Sequence, residues 1–214
     1  ENFNVLQIPG LSAATGLKMA AVAVCCGIVS ILFCLALHGV SYLYSRYLKN
    51  PYLRAAAAAV LIIAVTLLLG TADYMGAGNE LIQRAIEDGK ARPLDFFWKL
   101  ILTALTMRAG FRGGEIVPSL CIGATLGCVL GQALGLYAPL SAAAGMVALF
   151  CGVTNCPITS ILIAFELFGF QGVSYYLIAV AISYAVSGYY SLYKDQTIVY
   201  SKYKAKYINR HTRS

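Results

Sequence analysis

Charge is what this sequence has least of. Only 12% of its 214 residues are Asp, Glu, Lys or Arg, against about 25% in a typical soluble domain. No charged residue stands between Glu115 and Glu166, and none between Glu166 and Lys194. Helices of a soluble domain need a wet face. Together with 59% hydrophobic residues, more than a chain of this length can hide inside itself, these runs exclude a soluble all-α core. Histidine is scarce too. His38 and His211 stand far from any ligand spacing, and the seven cysteines (Cys25, Cys26, Cys34, Cys121, Cys128, Cys151, Cys156) form no CxxC pair, so a metal centre is excluded. All seven cysteines lie in apolar stretches, which reads as reduced, packing thiols. No nucleophile–base pair is present either, which argues against an enzyme, and nothing implies a cofactor. The chain begins at Glu1 with neither a methionine nor a basic segment before a short apolar core. No signal peptide is expected, and the start reads as the middle of a longer protein.

The formal net charge is +7, much of it from Lys202, Lys204, Lys206, Arg210 and Arg213. A basic tail after apolar spans reads as a cytoplasmic flank under the positive-inside bias. It therefore places the C-terminus in the cytoplasm and is not read as a nucleic-acid footprint. The chain is expected to be a multi-pass protein of the cell membrane.

The apolar pattern predicts several helices. Met19 to Leu37 is long enough to cross a bilayer, since about 20 helical residues span the hydrocarbon. The helix is expected to run on to about Tyr47 and to break at Asn50-Pro51. An Ala-rich span follows from Ala55 to Leu69. Gly70 to Pro93 is polar, with a short helix over Glu80 to Asp88. Phe96 to Thr106 is apolar again, and the segment Arg108 to Gly114 must leave the helical path. A glycine-rich helix over Ile116 to Leu136 places Gly123, Gly127, Gly131 and Gly135 on one face. Ser141 to Cys151 and Ile158 to Phe168 are short helices around Thr154-Asn155-Cys156-Pro157, with Asn155 as the N-cap of the second. Tyr175 to Val186 is another span, Gly188 to Gln196 a turn, and Thr197 to Ile208 an amphipathic helix. Short, broken helices at membrane depth belong where protein buries them or where they line a wet cavity. Transporters build ion sites from such breaks.

Gly113-Gly114-Glu115-Ile116-Val117-Pro118 is the segment best suited to chemistry. Two glycines let the backbone turn and approach a ligand. Proline fits a first helical turn. The first N–H groups of the helix lack intrahelical partners and, with the positive end of the dipole, favour an anion. An ordinary helix start capped by protein is the plainer reading. Glu115 has three open roles: to cap the helix, to occupy the anion position, or to be held protonated by burial. Glu166 reads as a satisfied structural acid. The abundant tyrosines near the end read as interfacial residues, though a phenol can also donate to an anion.

At GGEIVP the sequence resembles the GxFxP-type segment that opens a pore-lining helix in CLC chloride channels and anion/proton antiporters. IGATLGCVLG, NCPITSILIAFELFG, TIVYSK and MGAGNELI resemble further family segments in matching order, from about Thr15 to Ile208. The resemblance implies an all-α integral membrane fold. It further implies that residues 1–214 form a single membrane domain, the C-terminal inverted repeat of a CLC-type transporter with broken and re-entrant helices. The complete protein would be a homodimer with one pore per subunit. Its dimer interface would draw on the first helix and those at Ile158 to Phe168 and Tyr175 to Val186. Its partners would be chloride or fluoride, protons and the lipid bilayer. Gly113, Gly114, Glu115, Ile116 and Val117 would form the anion site, with the backbone amides near Ile116 and Val117 and the Tyr200 hydroxyl holding the ion. The family's GSGIP-type and GREGP-type segments, which carry the pore serine and gating glutamate, are absent and belong to the missing N-terminal half. The chain alone is therefore expected not to transport. A glutamate at position 115 resembles the GEVTP-like segment of the fluoride/proton antiporter branch, with Val117 in place of its hydroxyl residue. A passive channel and a non-transporting structural fragment are the alternatives.

Overall fold

The computed structural model describes residues 8–193 and 195–212. Glu1, Lys194 and Arg213 lie outside the described residues. Among these residues there are eight α-helices and one two-stranded antiparallel sheet.

Helix α1 (Ala13–Tyr47) starts on a capping box in which Ser12 and Thr15 satisfy each other's backbone N–H. Its 35 residues give a length of about 52 Å at 1.5 Å per residue, well beyond a hydrocarbon core of about 30 Å. One stripe, including Met19, Val22, Cys26, Phe33 and Leu37, is buried. Leu17, Ile28 and Leu32 on other faces are exposed and equally apolar, as expected where lipid is the solvent. Helix α2 (Pro51–Leu69) is capped by Asn50, whose Oδ1 accepts from the Tyr52 N–H at 3.0 Å. Only Ala58 of this apolar helix is buried.

The short amphipathic helix α3 (Asn79–Ile86) buries Leu81, Ile82, Ala85 and Ile86. Helix α4 (Asp95–Ala109) carries a fully covered Lys99. Its ammonium donates to the Tyr74 and Gly76 carbonyls at 3.0 and 2.7 Å, which compensates the buried charge with backbone dipoles. Gly78, at φ +90°, lies against that ammonium, and a Cβ there would come within 3.1 Å of Nζ.

Helices α5 (Ile116–Leu134) and α6 (Ala138–Thr154) form the centre, with every residue of α6 from Pro139 to Thr154 buried. They cross at contact distance because glycine meets backbone. A Cβ on Gly123 would sit 2.5 Å from the Gly145 carbonyl oxygen, and one on Gly127 would collide with the Ser141 carbonyl. Gly135 leaves the predicted face. It adopts φ +65° as the C-cap of α5 and sends its N–H back to Gly131 and Gln132, so the helix ends before Leu136.

Helix α7 (Pro157–Phe168) and helix α8 (Val173–Val186) complete the bundle, α8 packing on α1 and α6. The 14 residues of α8 reach only about 21 Å, so it does not cross a core of about 30 Å as predicted. Among the described residues three helices, α1, α2 and α5, are long and apolar enough to do so. Asn155 is not the N-cap of α7. It closes α6 in the left-handed region at φ 58°, where a short polar side chain is tolerated. Its Nδ2 donates to the Tyr190 carbonyl at 2.7 Å and its Oδ1 accepts from Lys202. Glu166 is exposed and has no ion pair or hydrogen bond among the described residues, so it is not the satisfied acid that was expected.

The predicted helix over Thr197 to Ile208 is instead a hairpin of β1 (Thr197–Tyr200) and β2 (Tyr207–His211), with Thr197 opposite His211 and Tyr200 opposite Tyr207. Thr-Ile-Val-Tyr is β-branched and aromatic throughout, a composition that prefers a strand. Lys202 in the turn donates to the Tyr184 carbonyl and Ser187 hydroxyl and lies 3.9 Å from the centre of the Tyr184 ring. This basic residue of the tail is thus spent on closing the ends of α6 and α8.

Candidate functional site

The amide end of α5 follows a loop that can hold no regular structure. Gly110, at φ +106°, ends α4, and residues 111–114 make no backbone–backbone hydrogen bond among the described residues. Glu115 then occupies the N-cap position, and its carbonyl accepts the Ser119 N–H at 3.2 Å. Pro118 brings no N–H. The amides of Ile116 and Val117 have no hydrogen-bond partner among the described residues, which is the state an N-terminal turn presents to a ligand. Both residues are exposed. Gly113, Gly114 and Val117 also line a cavity of about 610 Å³. Its other walls come from Ile62 and Ile63 of α2, the Tyr74–Ala77 stretch, and Thr103 and Met107 of α4. The lining is mainly apolar, with Arg112 as its charged side chain.

Glu115 does not cap its helix. Its side chain makes no capping bond; its Oε1 lies 3.0 Å from Nη2 of Arg108, with side chains 19% and 23% exposed. This excludes the capping role in the present conformation and identifies a partner that sequence reasoning missed. The pairing spans seven positions and a loop, so no helical periodicity signals it. A charged residue ending an apolar helix was the available hint, since such residues at membrane depth seek partners.

The structure brings Gly113, Gly114, Glu115, Ile116 and Val117 together, as contiguity requires. Tyr200 stands apart. It is 68% exposed on β1 and packs its ring on Tyr207 at 5.9 Å. Its hydroxyl has no hydrogen bond among the described residues, and it does not line the cavity. No group of three or more His, Cys, Asp or Glu suited to a metal occurs among the described residues.

A family model described as voltage gated chloride channel matches residues 2–188. The chain belongs to the voltage-gated chloride channel (CLC) family. A chloride/fluoride channel protein of Pseudomonas syringae pv. tomato is 33% identical over 193 residues, covering 87% of this chain and 42% of that protein. The voltage-gated ClC-type chloride channel ClcB of Escherichia coli is 32% identical over 120 residues, 52% of this chain and 28% of the relative. The crystal structure of a CLC-type fluoride/proton antiporter superposes with a TM-score of 0.85 at 31% identity, over 90% of this chain and 49% of that one. A eukaryotic CLC transporter shares the fold alone, at TM-score 0.66 and 24% identity. The fold is therefore the mostly helical membrane fold of CLC transporters, and the chain spans about half the length of the relatives it matches.

Proposed function

We propose that this chain is the C-terminal repeat of a CLC-type anion transporter that exchanges fluoride for protons across the cell membrane. The observation that carries the proposal is the α5 entrance. Two unpartnered amides at Ile116 and Val117 follow the Gly113-Gly114 loop, next to an acid that is paired to an arginine and not spent on capping. Amides and helix dipole favour an anion. A small, basic anion that travels against protons suits a site with its own carboxyl group. The likeness to a fluoride/proton antiporter supports the same choice. The exposure of Ile116 and Val117 fits a site completed by the other repeat. The complete protein is read as a homodimer with its C-terminus in the cytoplasm, binding anions without a cofactor and catalysing no covalent chemistry.

The test is ion flux from liposomes holding the full-length protein. Fluoride efflux should exceed chloride efflux and should drive protons the opposite way. Glu115→Gln should reduce proton-coupled fluoride flux by at least tenfold. Chloride-selective flux indifferent to Glu115→Gln would sink the fluoride reading. The chloride/fluoride channel relative favours a second reading, a passive channel, which the same experiment recognises by anion flux without proton movement.

A further inference from the structure

No Asp or Glu lines the cavity beside the α5 entrance among the described residues, and Arg112, its charged side chain, has no ion pair or hydrogen bond there. Thr103 lines the cavity from α4 and is only 7% exposed. Other threonines of the bundle return their hydroxyls to the helix: Thr106, Thr125 and Thr154 each donate to the carbonyl four residues back, at 2.7, 2.8 and 2.8 Å. The Thr103 hydroxyl has no hydrogen-bond partner among the described residues. A buried hydroxyl left without a partner is costly, so this one is suited to a ligand that accepts from it.

The Gly76-Ala77 stretch supplies a second donor. Lys99, covered behind it, takes the Gly76 carbonyl at 2.7 Å. The peptide is trans, so the Ala77 N–H in the same plane points the opposite way. That N–H has no partner among the described residues, and both Gly76 and Ala77 line the cavity. No carboxylate pairs with Lys99 among the described residues. A cation at the carbonyl end of a peptide polarises it and strengthens its N–H as a donor. Loop amides backed in this way form an anion-binding concavity.

We propose that this cavity is an anion-binding chamber in its own right, in which the Thr103 hydroxyl and the Ala77 N–H hold a partly hydrated monovalent inorganic anion and Arg112 draws it in. The site is separate from the one assigned to the Ile116 and Val117 amides, and it rests on the transport reading only for where the ion goes next. Val117 lines the chamber as well, so an ion held there stands at the approach to the α5 amides. The cavity of about 610 Å³ has far more room than one ion fills, so water completes the shell that two donors leave open. Apolar walls such as Ile62, Ile63 and Met107 replace none of the water an anion gives up. Stripping a strongly hydrated ion is therefore the costlier exchange, and the chamber favours bromide over fluoride. Its preference thus runs opposite to that proposed for transport.

The experiment is a bromide soak of crystals of the full-length protein, read by anomalous scattering, together with calorimetric titration of sodium bromide and sodium fluoride in detergent. The parent should show a bromide peak between Thr103 and Ala77, and bromide should bind there more tightly than fluoride. Thr103→Val keeps the shape and removes the hydroxyl, so it should weaken bromide about tenfold and erase the peak. Thr103→Ser keeps the donor and should bind like the parent. Arg112→Gln should weaken bromide about threefold and flatten its dependence on ionic strength. The parent map needs no variant, so it decides the matter even if Thr103→Val fails to fold. A chamber filled by side chains of the other repeat, a map without bromide there, or a peak that survives Thr103→Val unchanged would overturn the proposal. Liposome flux separates it from the transport reading: a parent that moves no anion yet keeps the Thr103-dependent bromide sinks transport and leaves the chamber standing.

Discussion

The α5–α6 crossing offers a test in which one substitution type should act with opposite sign at two sites. Gly39 lies on the exposed side of α1, and a Cβ built there meets nothing within 4 Å. Gly→Ala in an exposed helix interior gains about 1 kcal/mol from propensity, so Gly39→Ala should stabilise by up to that amount. Gly127 sits in a helix as well and carries the same propensity gain. Its added methyl, however, would overlap the Ser141 carbonyl oxygen and come within 3.1 Å of the Gly145 Cα. The atoms it strikes are backbone, so no side-chain rotation relieves the clash. Gly123 faces the same barrier at the Gly145 carbonyl, and Gly145 in turn faces Gly123, so α5 and α6 would have to separate along several contacts together. Overpacking a tight interior costs about 1–3 kcal/mol, occasionally more, and here it must exceed the propensity gain. Gly127→Ala should therefore lower the thermal midpoint of the detergent-solubilised full-length protein by several degrees, while Gly39→Ala leaves it equal or higher. Two midpoints that move together would refute the argument that backbone approach, and not helix propensity, governs the glycine row.

Two further outcomes follow from particular contacts. Asn155→Ala should destabilise the α6 terminus more than Asn155→Gly, by about 1 kcal/mol, because both lose the bonds to Tyr190 and Lys202 but only alanine resents the left-handed backbone; hydrogen exchange of residues 150–155 and 197–203 reads the difference, and equal effects would remove backbone strain from the account. The Asp73 carboxyl is opposed by burial, yet the Arg84 and Thr71 hydrogen bonds and the Arg84 and Arg92 charges prevail and hold it below its ordinary value. A depressed carboxyl contributes stability above its unfolded pKa and loses it as pH falls through the folded one, so exchange in residues 71–86 should quicken on acidification below about 4. Asp73→Asn should abolish that step.

Most helices were legible because their signals are local. Asn50-Pro51 marks the break after α1, although the next helix starts at Pro51 itself and not at Ala55, and Gly123, Gly127 and Gly131 announce close packing by their spacing alone. The failures share a cause. Gly135 continues the same spacing but sits where the helix stops, and spacing cannot distinguish a packed glycine from a terminating one. Asn155 is equally good at starting a helix and at ending one in the left-handed region, and only the position of Tyr190 and Lys202 decides. The segment Thr197 to Tyr200 carried a strand composition that its place after a chain of helices obscured. Its partner strand, Tyr207–His211, is joined by pairing that no local pattern reports.

The site divides along the same line. The order Gly-Gly-Glu-Ile-Val-Pro dictates a helix start and free amides, because each property belongs to one or two residues. What Glu115 does with its charge belongs to the fold. With its capping bond absent and Arg108 at 3.0 Å, the carboxylate leaves the positive end of the helix dipole uncapped and is itself compensated by a cation. An acid used as a cap would have filled the position that an anion needs. An acid paired sideways leaves that position open and supplies a proton acceptor next to it. That difference, invisible in the motif, leaves the Ile116 and Val117 amides unpartnered, the observation on which the proposed exchange rests.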